Sequence, residues 1–101
     1  MIDLDFEFES EVWLWQAEKG AWHFLTVPED ISEDIKAFTK HLARGFRSVK
    51  VGVQIGDTVW KTSIFPSKSH SGYILPIKAS VRKAEGVFVN DKVIVKLNVP
   101  T

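Results

Sequence analysis

The sequence predicts a mainly β domain: a closed or split barrel of about seven strands, made by one chain and capped by two short helices. Three observations lead there. Long stretches alternate apolar and polar residues at period two, the pattern of a sheet with one face buried. Two segments share one order of parts (strand, proline, helix, glycine, strand), as if two similar halves wrapped one core. The 101 residues are 45% hydrophobic, with seven Phe and four Trp, which gives one small domain a dense core.

The elements follow in order. Over residues 2–16, Ile2, Leu4, Phe6, Phe8, Val12 and Leu14 share one face of a strand, and Asp3, Asp5, Glu7, Glu9 and Glu11 the other. Trp13 and Trp15 fall in the acidic phase, so they lie under another element or stand exposed. Gly20 closes a turn, and residues 21–27 return as a strand that Pro28 ends. Trp22 and Trp60 are assigned to the core. A helix is expected over 32–43, with Ser32 as N-cap and Glu33 and Asp34 at its positive end. Ile31, Ile35, Phe38 and Leu42 make its buried stripe. Lys40, His41 and Arg44 occupy its last turn, and Gly45 stops it.

Residues 48–55 alternate again, and Gly56-Asp57 turns the chain into a returning strand from Thr58 to Phe65. Residues 66–72 read as a polar loop and Tyr73–Leu75 as a short strand. A second helix is expected from about Lys78 to Glu85, closed by Gly86. Asn90-Asp91 then turns into a last strand, where Val93, Val95, Leu97 and Val99 alternate.

Several function classes lose support at this level. There is no cysteine, so neither a disulfide framework nor a cysteine metal site is expected. Met1 leads straight into Ile2-Asp3-Leu4-Asp5 without a basic start or apolar run, so no signal peptide is expected. No stretch approaches the roughly 20 apolar residues of a membrane span. The expected setting is the cytoplasm. Net charge is zero, but residues 1–35 hold ten acids against one base, and residues 36–101 twelve bases against three acids. Either the two faces pair with each other or are simply solvated, or the basic part meets an anion.

The unit Leu75-Pro76-Ile77-Lys78 … Arg82-Lys83-Ala84-Glu85-Gly86, followed by Asn90-Asp91, resembles the strand–helix–turn–strand unit of swapped-hairpin transcription factors of the AbrB and MazE type. Asn90 stands where that pattern usually has Gly, and Asn tolerates the same left-handed backbone. Over nearly the whole chain, Gly20-Ala-Trp22-His-Phe24, Trp60-Lys-Thr62-Ser63-Ile-Phe65-Pro66-Ser-Lys68 and Gly72-Tyr73-Ile-Leu75-Pro76-Ile-Lys78 resemble domain-of-unknown-function family 1905. That resemblance implies a double-split β-barrel in which one chain supplies both halves, and implies no activity.

His23, His41 and His70 are far apart and lack ligand spacing, so no metal site is expected. Ser67, Ser69 and Ser71 flank His70, but neighbours in one loop do not make a triad. No phosphate-binding glycine loop is present, and no cofactor is implied. A basic constellation remains. Lys78 and Arg82 are four apart, on one helix face, with Lys78 in the first turn where free N–H groups favour anions. If the polar loop folds beside them, Lys68, Lys78 and Arg82 converge with the Thr62 or Ser63 hydroxyls into an anion pocket, walled by Trp60 or Tyr73. The competing reading pairs Arg82 and Lys78 with the acidic first strand or Glu85.

Three functions follow. The first is a non-enzymatic binding module for a small anionic ligand or an acidic partner. The second is an interaction domain, self-associating through opposite charge or through Trp13 and Trp15. The third is nucleic-acid binding by analogy with the swapped-hairpin factors, which zero net charge and an acidic first strand oppose.

Overall fold

The computed structural model describes residues 3–40 and 48–100. Ile2 of the first alternating run lies outside them, as do His41, Leu42, Arg44 and Gly45 of the expected first helix. The chain forms β1 (Leu4–Glu11), β2 (Trp13–Ala17), β3 (Gly20–Thr26), α1 (Glu29–Thr39), β4 (Val49–Ile55) and β5 (Thr58–Ser67). A turn of 3₁₀ helix (Lys68–His70), β6 (Gly72–Pro76), α2 (Ala79–Glu85) and β7 (Lys92–Val99) complete it. All pairings are antiparallel, and the seven strands order as β1-β7-β4-β5-β6-β3-β2, curled into a half-barrel. Among the described residues no helix is long and apolar enough to cross a membrane.

Alternation builds the core. Val49, Val51, Val53 and Ile55 of β4 meet Val95, Leu97 and Val99 of β7 in one buried cluster, with Leu25, Val27, Ile64 and Leu75 from the other half of the curl. Phe6 packs against the same cluster, partly buried. Ile35 and Val81 plug it from α1 and α2.

The two halves are related by an approximate twofold axis. β1–β2, β3, α1 and β4 match β5, β6, α2 and β7 in order and in pairing. β3 pairs with β6 about Leu25↔Leu75, and β4 with β7 about Val53↔Leu97. The bond from the Val27 N–H to the Tyr73 carbonyl (2.9 Å) has its mirror in Ile77 N–H to the His23 carbonyl (2.9 Å). The shared order of strand, helix and strand is therefore a property of the fold. The two prolines are not equivalent within it. Pro76 ends β6 opposite Phe24, whereas Pro28 stands at the N-cap of α1.

The first helix starts earlier than expected. Glu29 and Asp30 form its acidic first turn, and Pro28 fixes the entry. Ser32 is thus not a cap but a buried residue within α1. Its hydroxyl donates to the Val27 carbonyl (3.2 Å) and accepts from the Tyr73 N–H (3.1 Å), bolting α1 to β6. Gly72 packs its Cα against the Ser32 side chain, and a Cβ there would collide with it. The second helix ends as expected on Gly86 at φ +63°, and Asn90 takes the positive φ (+75°) its turn requires.

Trp22 corrects the sequence expectation. It is 57% exposed. His23, Leu25 and Val27 hold the inward phase of this segment, so Trp22 and Phe24 face the other way. One phase had to yield, and the two fully buried aliphatics took the interior. Trp60 is core, as expected.

Ser32→Ala should lower the unfolding free energy by about 1–3 kcal/mol in urea titrations, because it strands the buried Tyr73 N–H. A variant as stable as the parent would refute the bolt.

Candidate functional site

Residues that alternate with the core face the opposite side of the curled sheet. There β3, β4, β5 and β6 enclose an open trough of about 1070 Å³. Its apolar lining holds the rings of Trp15, Trp22, Phe24, Phe65 and Pro76 beside Val51 and Ile74. Trp15 and Trp22 are directly opposed across β2 and β3 and are 50% and 57% exposed. Gly52 leaves the floor open opposite Lys61, and Lys50 lies diagonally along the same face. Ser63 lines this trough.

A second cavity of about 340 Å³ adjoins it at the start of α2. Trp60 and Thr62 of β5, His23 of β3, and Lys78 and Arg82 beside α2 line it. The two cavities share Trp22, Lys61, Thr62 and Pro76, so they open on either side of one ridge. Lys78 is the N-cap of α2, and Arg82 sits one turn on, so both project toward the same end of β3 and β5.

The structure therefore brings Lys78, Arg82, Thr62 and Trp60 together, with Ser63 next door in the trough. Lys68 lies in the 3₁₀ turn and lines neither cavity. Tyr73 is buried on the core side, its N–H held by Ser32. With only seven residues, α2 is too short for its N-terminus to count as an anion site, so the charge here is that of the side chains. Sequence reasoning missed Lys61 and His23. Lys61 was legible as a residue in phase with Ser63. Nothing in the sequence placed His23 beside Arg82, 59 positions away.

Arg82 donates through Nε to the Ile77 carbonyl (3.3 Å) and sets Nη1 3.5 Å from His23 Nε2. Neither partner is a carboxylate. Glu85 turns away and accepts from Thr58 Oγ1 (2.5 Å), over Gly56 of the β4–β5 turn. Arginine only donates, so His23 Nε2 is the acceptor and the neutral ring carries its proton on Nδ1. That atom is buried without a partner among the described residues. Burial, and secondarily the Arg82 charge, hold the His23 pKa below its ordinary value of 6.5. The ring is therefore neutral at pH 7.

Trp13 and His70 form a separate cluster. The Trp13 ring stacks on His70 (4.4 Å between centroids, 14°), packs on Phe24 (5.0 Å), and donates Nε1–H to Thr26 Oγ1 (2.9 Å). Of the two proposed partner-surface residues, Trp13 is thus half-covered and Trp15 stands open. His70 Nδ1 meets the Ser67 hydroxyl at 2.9 Å and Ser69 at 3.4 Å. Among the described residues no carboxylate completes this pair, and its contacts fix the loop over Trp13.

A family model described as Domain of unknown function (DUF1905) matches residues 8–97, a span containing every residue that lines the cationic cavity. No curated protein matches the chain.

The depressed His23 pKa gives a stability signature. As pH falls, the unfolded chain takes up the proton first. The stability His23 contributes is complete above its unfolded value of 6.5 and is lost as pH drops through the lower folded value. His23→Gln should remove that part of the slope in urea unfolding between about pH 7.5 and about pH 5.5. Parallel curves for parent and variant would contradict the assignment.

Proposed function

The chain belongs to the domain-of-unknown-function family DUF1905, a membership that assigns no activity, and from its site we propose a binding module for a small anionic ligand. One observation carries the reading. Lys50, Lys61, Lys78 and Arg82 line the two adjoining cavities, and among the described residues no aspartate or glutamate does, in a chain with as many acids as bases.

The sheet order supports it. The acidic strand β1 pairs with β7, where Lys96 faces Glu7 and Lys92 faces Glu11 directly. Such cross-strand pairs account for part of the charge asymmetry by mutual neutralisation. β7 and β4 then separate β1 from β5. Three strand spacings are roughly 14 Å along the sheet, beyond the screening length of about 8 Å at physiological salt. The acids of β1 therefore stand well away from Lys61 along the sheet, and the partners of Arg82 are the Ile77 carbonyl and His23 rather than a carboxylate. The ligand's anionic group sits between the Arg82 guanidinium and the Lys61 and Lys78 ammonium groups. Thr62 offers a hydroxyl, and Trp60 excludes water from one side, which strengthens each charged contact.

Inorganic pyrophosphate at millimolar concentration should raise the melting temperature saturably in a thermal-shift titration. Arg82→Gln and Lys78→Gln should each weaken that binding about ten-fold or more. Lys96→Gln, on the paired face, should leave it unchanged. No saturable shift with the parent, or an undiminished one with Arg82→Gln, would remove the proposal.

A further inference from the structure

The cationic cavity is small, and what lies beside it narrows the class of ligand. Its 340 Å³ is near the lower limit for a small-molecule site, enough for an anionic group and little more. The larger space is the trough across the shared ridge. Four of the residues lining that trough are aromatic, beside Val51, Ile74 and the polar side chains of β4 and β5. Trp15, Trp22 and Phe65 are 50%, 57% and 44% exposed, and Phe24 and Pro76 extend the same wall. Leaving several rings in water forfeits the favourable burial these side chains otherwise provide, and such patches on a small domain mark contact surfaces. Aromatic faces select flat π-systems, which stack on them. The cations are placed to accept charge from the same molecule: Lys50 and Lys61 beside the trough, Lys78 and Arg82 over the ridge.

Resting on the anion-binding reading above, we propose that the ligand is a nucleoside monophosphate or a molecule of that chemistry. Its flat ring system stacks in the trough against Trp22 and Trp15, and its phosphate crosses the ridge to Arg82, Lys78 and Lys61. Trp22 is the aromatic residue that lines both cavities, and its ring sets how far the stacked base stands from the phosphate. His23 stays neutral beneath Arg82, so it adds no second charge and keeps the guanidinium aimed at the cavity.

The test is intrinsic tryptophan fluorescence, with affinities checked by calorimetry, on the full chain. Five probes are titrated: adenosine monophosphate, ribose 5-phosphate, inorganic pyrophosphate, octyl phosphate and a short oligothymidylate. Adenosine monophosphate should quench the tryptophans and bind about ten-fold or more tighter than ribose 5-phosphate or octyl phosphate. Trp22→Ala should erase that advantage while pyrophosphate binding persists. Trp15→Phe, which keeps a ring, should retain most of it and guards against misfolding of the alanine variant. Equal affinity for adenosine monophosphate and ribose 5-phosphate would overturn the stacking claim and leave the anion site standing. Octyl phosphate binding as tightly as adenosine monophosphate would overturn it in favour of an alkyl ligand. Oligothymidylate binding with no response to the mononucleotide would overturn it in favour of a strand. So would a dimer in light scattering that Trp22→Ala disperses. No saturable response to any phosphate, pyrophosphate included, would remove the anion site itself.

Discussion

Val12 is fully buried, and its N–H and carbonyl are both bonded to the Asn90–Asp91 turn, at 2.9 and 2.8 Å. It is the single residue between β1 and β2, which lie at opposite ends of the strand order. One short run of chain thus ties the two edges of the sheet and forces it to curl. Ser10 adds a bond from its hydroxyl to the Thr26 carbonyl (2.9 Å) across the same seam. Ile64 is the counterpart in the second half: β5 pairs with β4 up to that residue and with β6 beyond it. Everything else hangs on these two crossings. They close one core over apolar faces that neither half could bury alone, and they leave the other face of the sheet folded into a trough. Exposed backbone edges, a standing hazard for open sheets, are reduced by the same device.

The charge asymmetry has a spatial logic once the strand order is known. The acids of β1 run down one edge, with Asn98 of β7 donating to Asp5 (2.8 Å) and Lys96 and Lys92 facing Glu7 and Glu11. The competing readings of the sequence are thereby divided between different lysines. Those of β7 face acids, and those of β4, β5 and the α2 entry face the cavities. Arg82 is held from behind by a backbone carbonyl and a neutral imidazole, which orient it without discharging it.

The trough side of the sheet departs from the rules the core obeys. Rings stand in water while Val and Leu occupy the interior, and among the described residues cations line the cavities without acids. Departures of this kind concentrate at functional sites. The same twofold order that builds the one core from two similar halves does not repeat the site. Pro28 and Lys78 stand at matching N-caps, and only the second contributes a charge to a cavity. A symmetric scaffold here carries one asymmetric surface, which is how a fold with no fixed chemistry acquires a particular one.

Alternation alone was enough to place most strands, because period two is written locally and each buried face has one possible phase. Residue type marked the turns at Gly56, Gly86 and Asn90, whose positive φ few residues accept. Lys78 and Arg82 were legible as a pair because four residues make one helical turn. Three things were beyond local pattern. Ser32 has the composition of a cap and was bent to a tertiary task by β6. Trp22 has the bulk of a core residue, and only the competition with Leu25 and Val27 for one face decided it. Lys61 and His23 joined Arg82 through strand pairing between segments dozens of residues apart. Local physics fixes what each segment can be, whereas which segments become neighbours depends on the burial of the whole chain at once.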